Sequence, residues 1–123
     1  MKNLVTESDF VETYDDFLSE SICSELISLV DEQNERIERD HKPNFYQRNI
    51  GNISEYTGLY KKFSEVGMKY LADIGYYDDL LPHKYGFEEM RIKKYDVGDS
   101  FDTHIDVSDY ASARRWLAFL VYL

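Results

Sequence analysis

The 123-residue chain has a single cysteine, Cys23. An internal disulfide is therefore excluded, and with it the disulfide-stapled and cysteine-zinc scaffolds. A reducing cytoplasm is the expected compartment. Proline and glycine are sparse, at two and six residues, and no Pro/Gly/Ser-rich linker, internal repeat or low-complexity run divides the chain. Positive charge is also scarce. Lys and Arg number 14 against 24 Asp and Glu, a net charge of −10. That balance argues against nucleic-acid binding by phosphate neutralisation and against polybasic attachment to a membrane. No apolar run approaches the roughly 20 residues that a bilayer span needs. The opening stretch MKNLVTESDF has no apolar core of the kind a secretory signal requires.

The remaining composition is that of a globular protein, with 43% hydrophobic and 31% charged residues, and the length suits one domain over 1–123. Aromatics reach 15%, including 11 tyrosines, so few residues can fill a modest core while hydroxyls still reach water or partners.

The pattern along the chain divides it into an acidic helical part, 1–86, and a part that reads as strands, 87–123. A short alternating piece within 9–18 predicts a strand and then a turn. Ser19 is a good N-cap, Glu20 complements the helix dipole, and Leu18 and Cys23 have the spacing of a hydrophobic staple. Ile22, Leu26 and Val30 lie one turn apart, with Cys23, Ile27 and Ile37 beside them, which predicts a helix over about 20–38. Cys23 itself reads as a small apolar residue of that helix. Pro43 stops it, and 44–56 reads as irregular or extended. Leu59, Phe63, Val66, Tyr70 and Ile74 predict a second helix over about 57–74, with Gly75 just past its end. Tyr77 to Gly86 reads as a turn region. His41 and His83, next to lysines, read as solvated.

From Phe87 the period changes to two. Met90 and Ile92 alternate with Arg91 and Lys93, a strand running to Tyr95. Asp96-Val97-Gly98-Asp99 is a turn, 101–107 a second strand, and 109–114 a loop. The uninterrupted apolar run 116–123 predicts a strand buried on both faces. Because an exposed apolar edge invites aggregation, that run implies either a longer parent protein or a partner or dimer that covers it.

His104 and Asp106 are the most informative pair. Two residues apart on a strand, they share a face, and together they make two-thirds of the two-histidine-one-carboxylate triad of non-haem iron sites. The tripeptide alone carries little weight. Its surroundings carry more. Tyr95-x-x-Gly98-x-x-Phe101-x-x-His104-x-Asp106, followed after a loop by Arg115-x-x-Ala118-x-Leu120-x-Tyr122-Leu123, resembles the Fe(II)/2-oxoglutarate-dependent oxygenases, in particular the prolyl 4-hydroxylase branch. Asp16-Phe17-Leu18-Ser19 with Cys23-x-x-Leu26-Ile27 is similar to the opening of that branch's domain. Ala118 stands where the family often has threonine.

The resemblance implies an α+β fold, a double-stranded β-helix or jelly roll with the N-terminal helices packed on the sheet, of which this chain supplies only the first core strands. It implies His104 and Asp106 as ligands to Fe(II). Tyr95, Leu120 and Tyr122 would line the pocket of the cosubstrate 2-oxoglutarate, Tyr122 through its hydroxyl and Leu120 as an apolar wall. Arg115 would lie near the substrate groove. Ascorbate is implied as an accessory reductant. The reaction would hydroxylate a proline in a peptide or protein, with oxidative decarboxylation of 2-oxoglutarate to succinate and carbon dioxide. The family's second metal histidine and its Lys or Arg for the distal carboxylate are expected beyond Leu123, so the 123 residues alone are expected to hold Fe(II) poorly and to be nearly inactive.

Read without the motif, Leu120 and Tyr122 are ordinary core residues, Tyr95 is one of many tyrosines, and Arg115 can pair with any nearby carboxylate. Two further readings stay open. The chain is a non-catalytic binding or assembly module that keeps the oxygenase front half, its last strand pairing with a partner. Or it is a cupin-like metal protein without 2-oxoglutarate chemistry, since His and Asp also accept Mn(II), Co(II) or Zn(II).

Overall fold

A computed structural model describes residues 10–40, 43–75, 82 and 84–123. It is a mixed α+β structure with two helices and one three-stranded antiparallel sheet. The elements run α1 (Glu20–Glu32), β1 (Glu35–Glu38), β2 (Asn44–Asn49), α2 (Gly58–Asp73) and β3 (Arg91–Lys94). Contacts divide the chain into two compact units, Met1–Phe17 with Gly51–Glu89, and Leu18–Ile50 with Met90–Leu123. No helix among the described residues is long and apolar enough to cross a membrane.

In the first unit, α2 follows a 3-10 turn, Ser54–Tyr56, where the Thr57 hydroxyl donates to the Ser54 carbonyl at 2.9 Å. The helix buries Gly67 and Leu71 and ends where the periodicity predicts, with Gly75 at φ 73°, a left-handed residue that accepts no side chain without strain. The preceding segment lies along it. Phe17 meets Phe63 at 5.2 Å between ring centres, and the Tyr70 hydroxyl donates to the Phe10 carbonyl at 2.6 Å. Phe87 meets Tyr60 at 5.2 Å and Phe63 at 6.5 Å. The expected strand within 9–18 does not form among the described residues, because the backbone groups of this stretch answer to helix side chains and not to a neighbouring strand. The turn region from Tyr77 to Gly86 falls largely outside the described residues, as do His41 and His83.

In the second unit, α1 starts at the expected cap, the Ser19 Oγ accepting from the Ile22 N–H at 3.3 Å. It stops six residues before the expected end. Three donors meet the carbonyls of its last turn. The Gln33 N–H reaches Leu29 at 3.3 Å, the Arg48 guanidinium reaches the same oxygen at 2.6 Å, and the Asn34 amide reaches Val30 at 2.8 Å. Residues 35–38 are then free to pair as β1, which moves Ile37 from the helix stripe to the sheet, opposite Phe45. The stretch read as irregular at 44–49 is β2, the central strand. The β3 strand is as the sequence reads it, with Tyr46 opposite Lys94 and Arg48 opposite Ile92.

The register sorts the sheet into two faces. One carries Arg36, Tyr46, Arg48, Ile92 and Lys94, and α1 covers it. Ile92, Leu26 and Val30 are buried, and Lys94 pairs with Asp31 of α1 at 2.6 Å. The other carries Phe45, Gln47, Arg91, Lys93 and Tyr95.

The turn after β3 is closed by the Asp99 N–H to the Asp96 carbonyl at 2.9 Å, with Gly98 at φ 88°. Arg36 donates to both Asp99 carboxylate oxygens, at 2.8 and 2.9 Å, tying the edge strand β1 to this turn. That guanidinium, and secondly the Asp96 N–H, hold the Asp99 carboxyl below the usual carboxylate range. A carboxyl depressed on folding stabilises the protein fully at neutral pH. That contribution is lost as pH falls from the unfolded carboxyl range through the lower folded value. The folding midpoint of the chain is therefore expected to drop between about pH 5 and pH 2, and Asp99→Asn to flatten that slope while lowering the midpoint at pH 7. Urea denaturation across this range reads both effects. An unchanged slope in Asp99→Asn would count against the Arg36 tie.

Two expectations for the later chain are overturned. Residues 101–107 form no strand. Ser100 makes a single bridge to Asn44, and the chain then leaves the sheet in a series of bends. Residues 116–123 are neither a strand nor buried. Leu120 is 82% and Tyr122 92% exposed, because no strand among the described residues offers the run a ladder.

Candidate functional site

The Asp102–Asp106 stretch bends back on itself, and this does for His104 and Asp106 what a strand would have done. His104 Nε2 lies 3.3 Å from Asp106 Oδ1. The other ring nitrogen, Nδ1, lies 2.8 Å from the Asp102 carbonyl. A carbonyl only accepts, so Nδ1 carries the hydrogen there and donates it. Nε2 is then left with its lone pair, directed at a carboxylate that also offers only lone pairs. Two such donors face each other stably only around a cation, either a proton or a metal ion. A backbone oxygen that fixes the tautomer is the usual outer partner of a metal-binding histidine.

The spacing fits a shared ion. Two donors each about 2.1 Å from one ion, at roughly a right angle, stand about 3.0 Å apart. The set is incomplete, however. No group of three or more His, Cys, Asp or Glu residues that could hold a metal occurs among the described residues.

Aromatic packing holds the pair against the open face of the sheet. The His104 ring stacks on Phe101 with centres 3.9 Å apart, and Phe101 stacks on Phe45 at 5.6 Å. Phe45 is only 3% exposed. Tyr95 meets the same Phe45 ring at 5.4 Å, and burial pushes its hydroxyl pKa up, so it stays neutral and able to donate a hydrogen bond at neutral pH. Arg115 donates to the Asp106 backbone carbonyl at 2.8 Å. The loop between them is knotted by Ser112, which is buried. Its Oγ accepts from the Ser108 and Asp109 N–H groups at 3.0 and 3.1 Å, and the Ser112 N–H donates to the Asp109 carboxylate at 2.8 Å.

Of the residues singled out by the sequence, the structure thus brings His104, Asp106, Tyr95 and Arg115 into one neighbourhood. Leu120 and Tyr122 are on the exposed 116–123 segment. Sequence reasoning missed Phe45, whose strand shows no clean alternation, and Lys93, which read as the polar half of β3. Lys93 Nζ sits 4.9 Å from the centre of the Phe45 ring and 4.8 Å from that of Phe101. Comparison with protein-family models, curated proteins and solved structures returned no match.

Proposed function

We propose that the chain is the front part of an Fe(II)- and 2-oxoglutarate-dependent oxygenase domain of the prolyl 4-hydroxylase-like branch. The observation that carries this reading is the His104–Asp106 pair, with one ring nitrogen spent on the Asp102 carbonyl and the other facing the carboxylate at 3.3 Å. A second feature supports it. One face of the sheet is covered by α1, and the open face carries Tyr95 and, through Phe101, His104. A jelly roll with its helices outside and its site inside requires that division.

In this reading His104 and Asp106 are two protein ligands, and the third comes from outside residues 1–123. Bound there, Fe(II) supplies the redox chemistry that couples decarboxylation of 2-oxoglutarate to hydroxylation of a C–H bond. The protein's share is to orient the ligands, present the Tyr95 hydroxyl to the cosubstrate and keep Arg115 beside the substrate path. Leu120 and Tyr122 join the pocket when the 116–123 segment pairs as a strand. The substrate is a proline-containing peptide or protein, and the compartment is the cytoplasm.

The test uses Co(II) in place of Fe(II), because its visible absorption reports coordination directly. Added to the 123-residue chain, Co(II) is expected to bind weakly, in keeping with two ligands, and 2-oxoglutarate is expected to tighten it. Binding that 2-oxoglutarate leaves unchanged would favour a cupin-like metal protein.

One observation favours a second reading, an assembly module. The 116–123 segment exposes Leu120 and Tyr122 almost fully, as a strand awaiting a partner would. Absence of any His104-dependent Co(II) signal, together with a stable dimer or complex, would favour it.

A further inference from the structure

Ser112 is a buried residue in an otherwise exposed stretch. It is 5% exposed, while Asp102 to Ala111 and Ala113 to Trp116 all face water. Apolar packing therefore does little to shape this loop, and hydrogen bonds to Ser112 do it instead. The hydroxyl has one hydrogen and two lone pairs, and all are used. The lone pairs accept from the Ser108 and Asp109 N–H groups at 3.0 and 3.1 Å, and the hydrogen goes to Asp109 Oδ1 at 2.6 Å. The Ser112 hydroxyl, and then its N–H, hold the Asp109 carboxyl below the usual carboxylate range, and Arg115 adds to this. The Ser112 carbonyl accepts from the Arg115 N–H at 3.0 Å. The Arg115 guanidinium then turns back nine residues to the Asp106 carbonyl at 2.8 Å. Asp106 to Arg115 thus form a closed ring with Ser112 inside it, and one end of that ring is a member of the His104–Asp106 pair. His104 is set from the other side, by the Phe101 ring and the Asp102 carbonyl.

We propose that Ser112 is a positioning residue for this pair. By closing the 108–112 turn it delivers the Arg115 guanidinium to the Asp106 carbonyl, and so holds the Asp106 carboxylate 3.3 Å from His104 Nε2. With its backbone fixed, Asp106 has only two side-chain torsions left to settle. A shared ion tolerates errors of only about 0.2 Å in its ligand distances, so a backbone free to drift would spoil the pair. Alanine at 112 would leave two N–H groups without their acceptor and open the ring. The consequence for metal binding rests on the oxygenase reading, whereas the placement of Asp106 does not.

The experiment is NMR on the 123-residue chain, first with a chelator present. Cross-relaxation between the His104 imidazole protons and the Asp106 β protons reports their approach without any metal. The contact is expected in the parent, lost in Ser112→Ala, and kept in Ser112→Thr, which retains the hydroxyl. The amide signals of β1, β2 and β3 are expected to stay in place in both variants. Where Ser112→Ala does not fold, Arg115→Gln opens the ring from its other end with the same expected loss. A contact that persists in Ser112→Ala, or that is absent from the parent, would overturn the proposal. Loss in Ser112→Thr equal to that in Ser112→Ala would assign the effect to packing and overturn the role of the hydroxyl. Co(II) is then added in place of the chelator. Its affinity is expected to fall about 10- to 100-fold in Ser112→Ala, the range for outer partners of metal ligands, and to stay near the parent's in Ser112→Thr. Unchanged affinity in Ser112→Ala would overturn the role of Ser112 at a metal site. A parent that keeps the proton contact but gives no His104-dependent Co(II) signal would remove the oxygenase reading and leave the placement of Asp106 by Ser112 standing.

Discussion

Replacing Phe45 with alanine is expected to lower the unfolding free energy of the chain by about 3–5 kcal/mol, the range found when a buried phenylalanine is truncated in a packed core. Phe45 is 3% exposed and lies on the central strand. Its ring is the floor on which Tyr95 at 5.4 Å, Phe101 at 5.6 Å and the Lys93 ammonium at 4.9 Å all rest. These neighbours come from β3 and from the segment that leaves it. Collapse into the vacated space would pull two parts of the chain inward at once, so little relaxation is available and the cost belongs in the upper part of that range. Small domains have only about 5–15 kcal/mol in total, so the variant should sit near the edge of folding. Urea denaturation measures the loss. A fall of less than about 1 kcal/mol would mean that the aromatic platform is surface decoration and not core. Near-UV circular dichroism adds a second reading. The His104 ring rests on Phe101, so loosening Phe101 should disturb the site before the sheet itself unfolds.

Particular residues show why some of this structure was readable from sequence and some was not. The α2 helix was legible because Leu59, Phe63, Val66, Tyr70 and Ile74 repeat at the helical period and Gly75 marks the end, both local signals. The start of α1 was legible for the same reason, through Ser19. Its end was not. Ile37 stands seven residues after Val30 and suits a helix stripe as well as a strand. The choice is made by Arg48, eleven residues further on, whose guanidinium takes the Leu29 carbonyl, and by the pairing of Ile37 with Phe45. Tertiary contacts overrode a local pattern. The β2 strand was missed because Asn44, Gln47 and Asn49 break the alternation that would have marked Phe45 as inward-facing. The apolar run at 116–123 was read as buried because hydrophobicity was its only signal. A strand also needs a neighbour to accept its backbone hydrogen bonds, and sequence does not say where that neighbour is.

The site was legible in its chemistry but not in its backbone. His104 and Asp106 were expected side by side through the period of a strand. They are side by side through a bend in which His104 Nδ1 bonds the Asp102 carbonyl. A strand would place the two side chains on one face but leave Nδ1 to find its own partner. The bend sets both the distance and the tautomer, the two conditions a metal-binding histidine must meet.

That arrangement leads to the second large effect. His104→Ala and Asp106→Ala are each expected to reduce Co(II) affinity at least about a hundredfold, because loss of an outer partner alone costs 10- to 100-fold and these are the donors themselves. Asp106→Asn should lose nearly as much. It keeps the shape and one oxygen but removes the charge that lets a divalent ion sit beside an imidazole. The folding midpoint should hardly move in any of the three, since the side chains of His104 and Asp106 are 45% and 59% exposed. The opposite pattern is equally informative. Should a proton and not a metal bridge Nε2 to the carboxylate, Co(II) affinity would be the same in His104→Ala as in the parent, and the pair would be an ordinary surface ion pair. Visible absorption of Co(II) during titration, compared with denaturation of the same samples, distinguishes the two. Affinity that falls while stability holds identifies His104 and Asp106 as ligands, because an ion pair serving the fold would lose stability and leave the metal signal where it was.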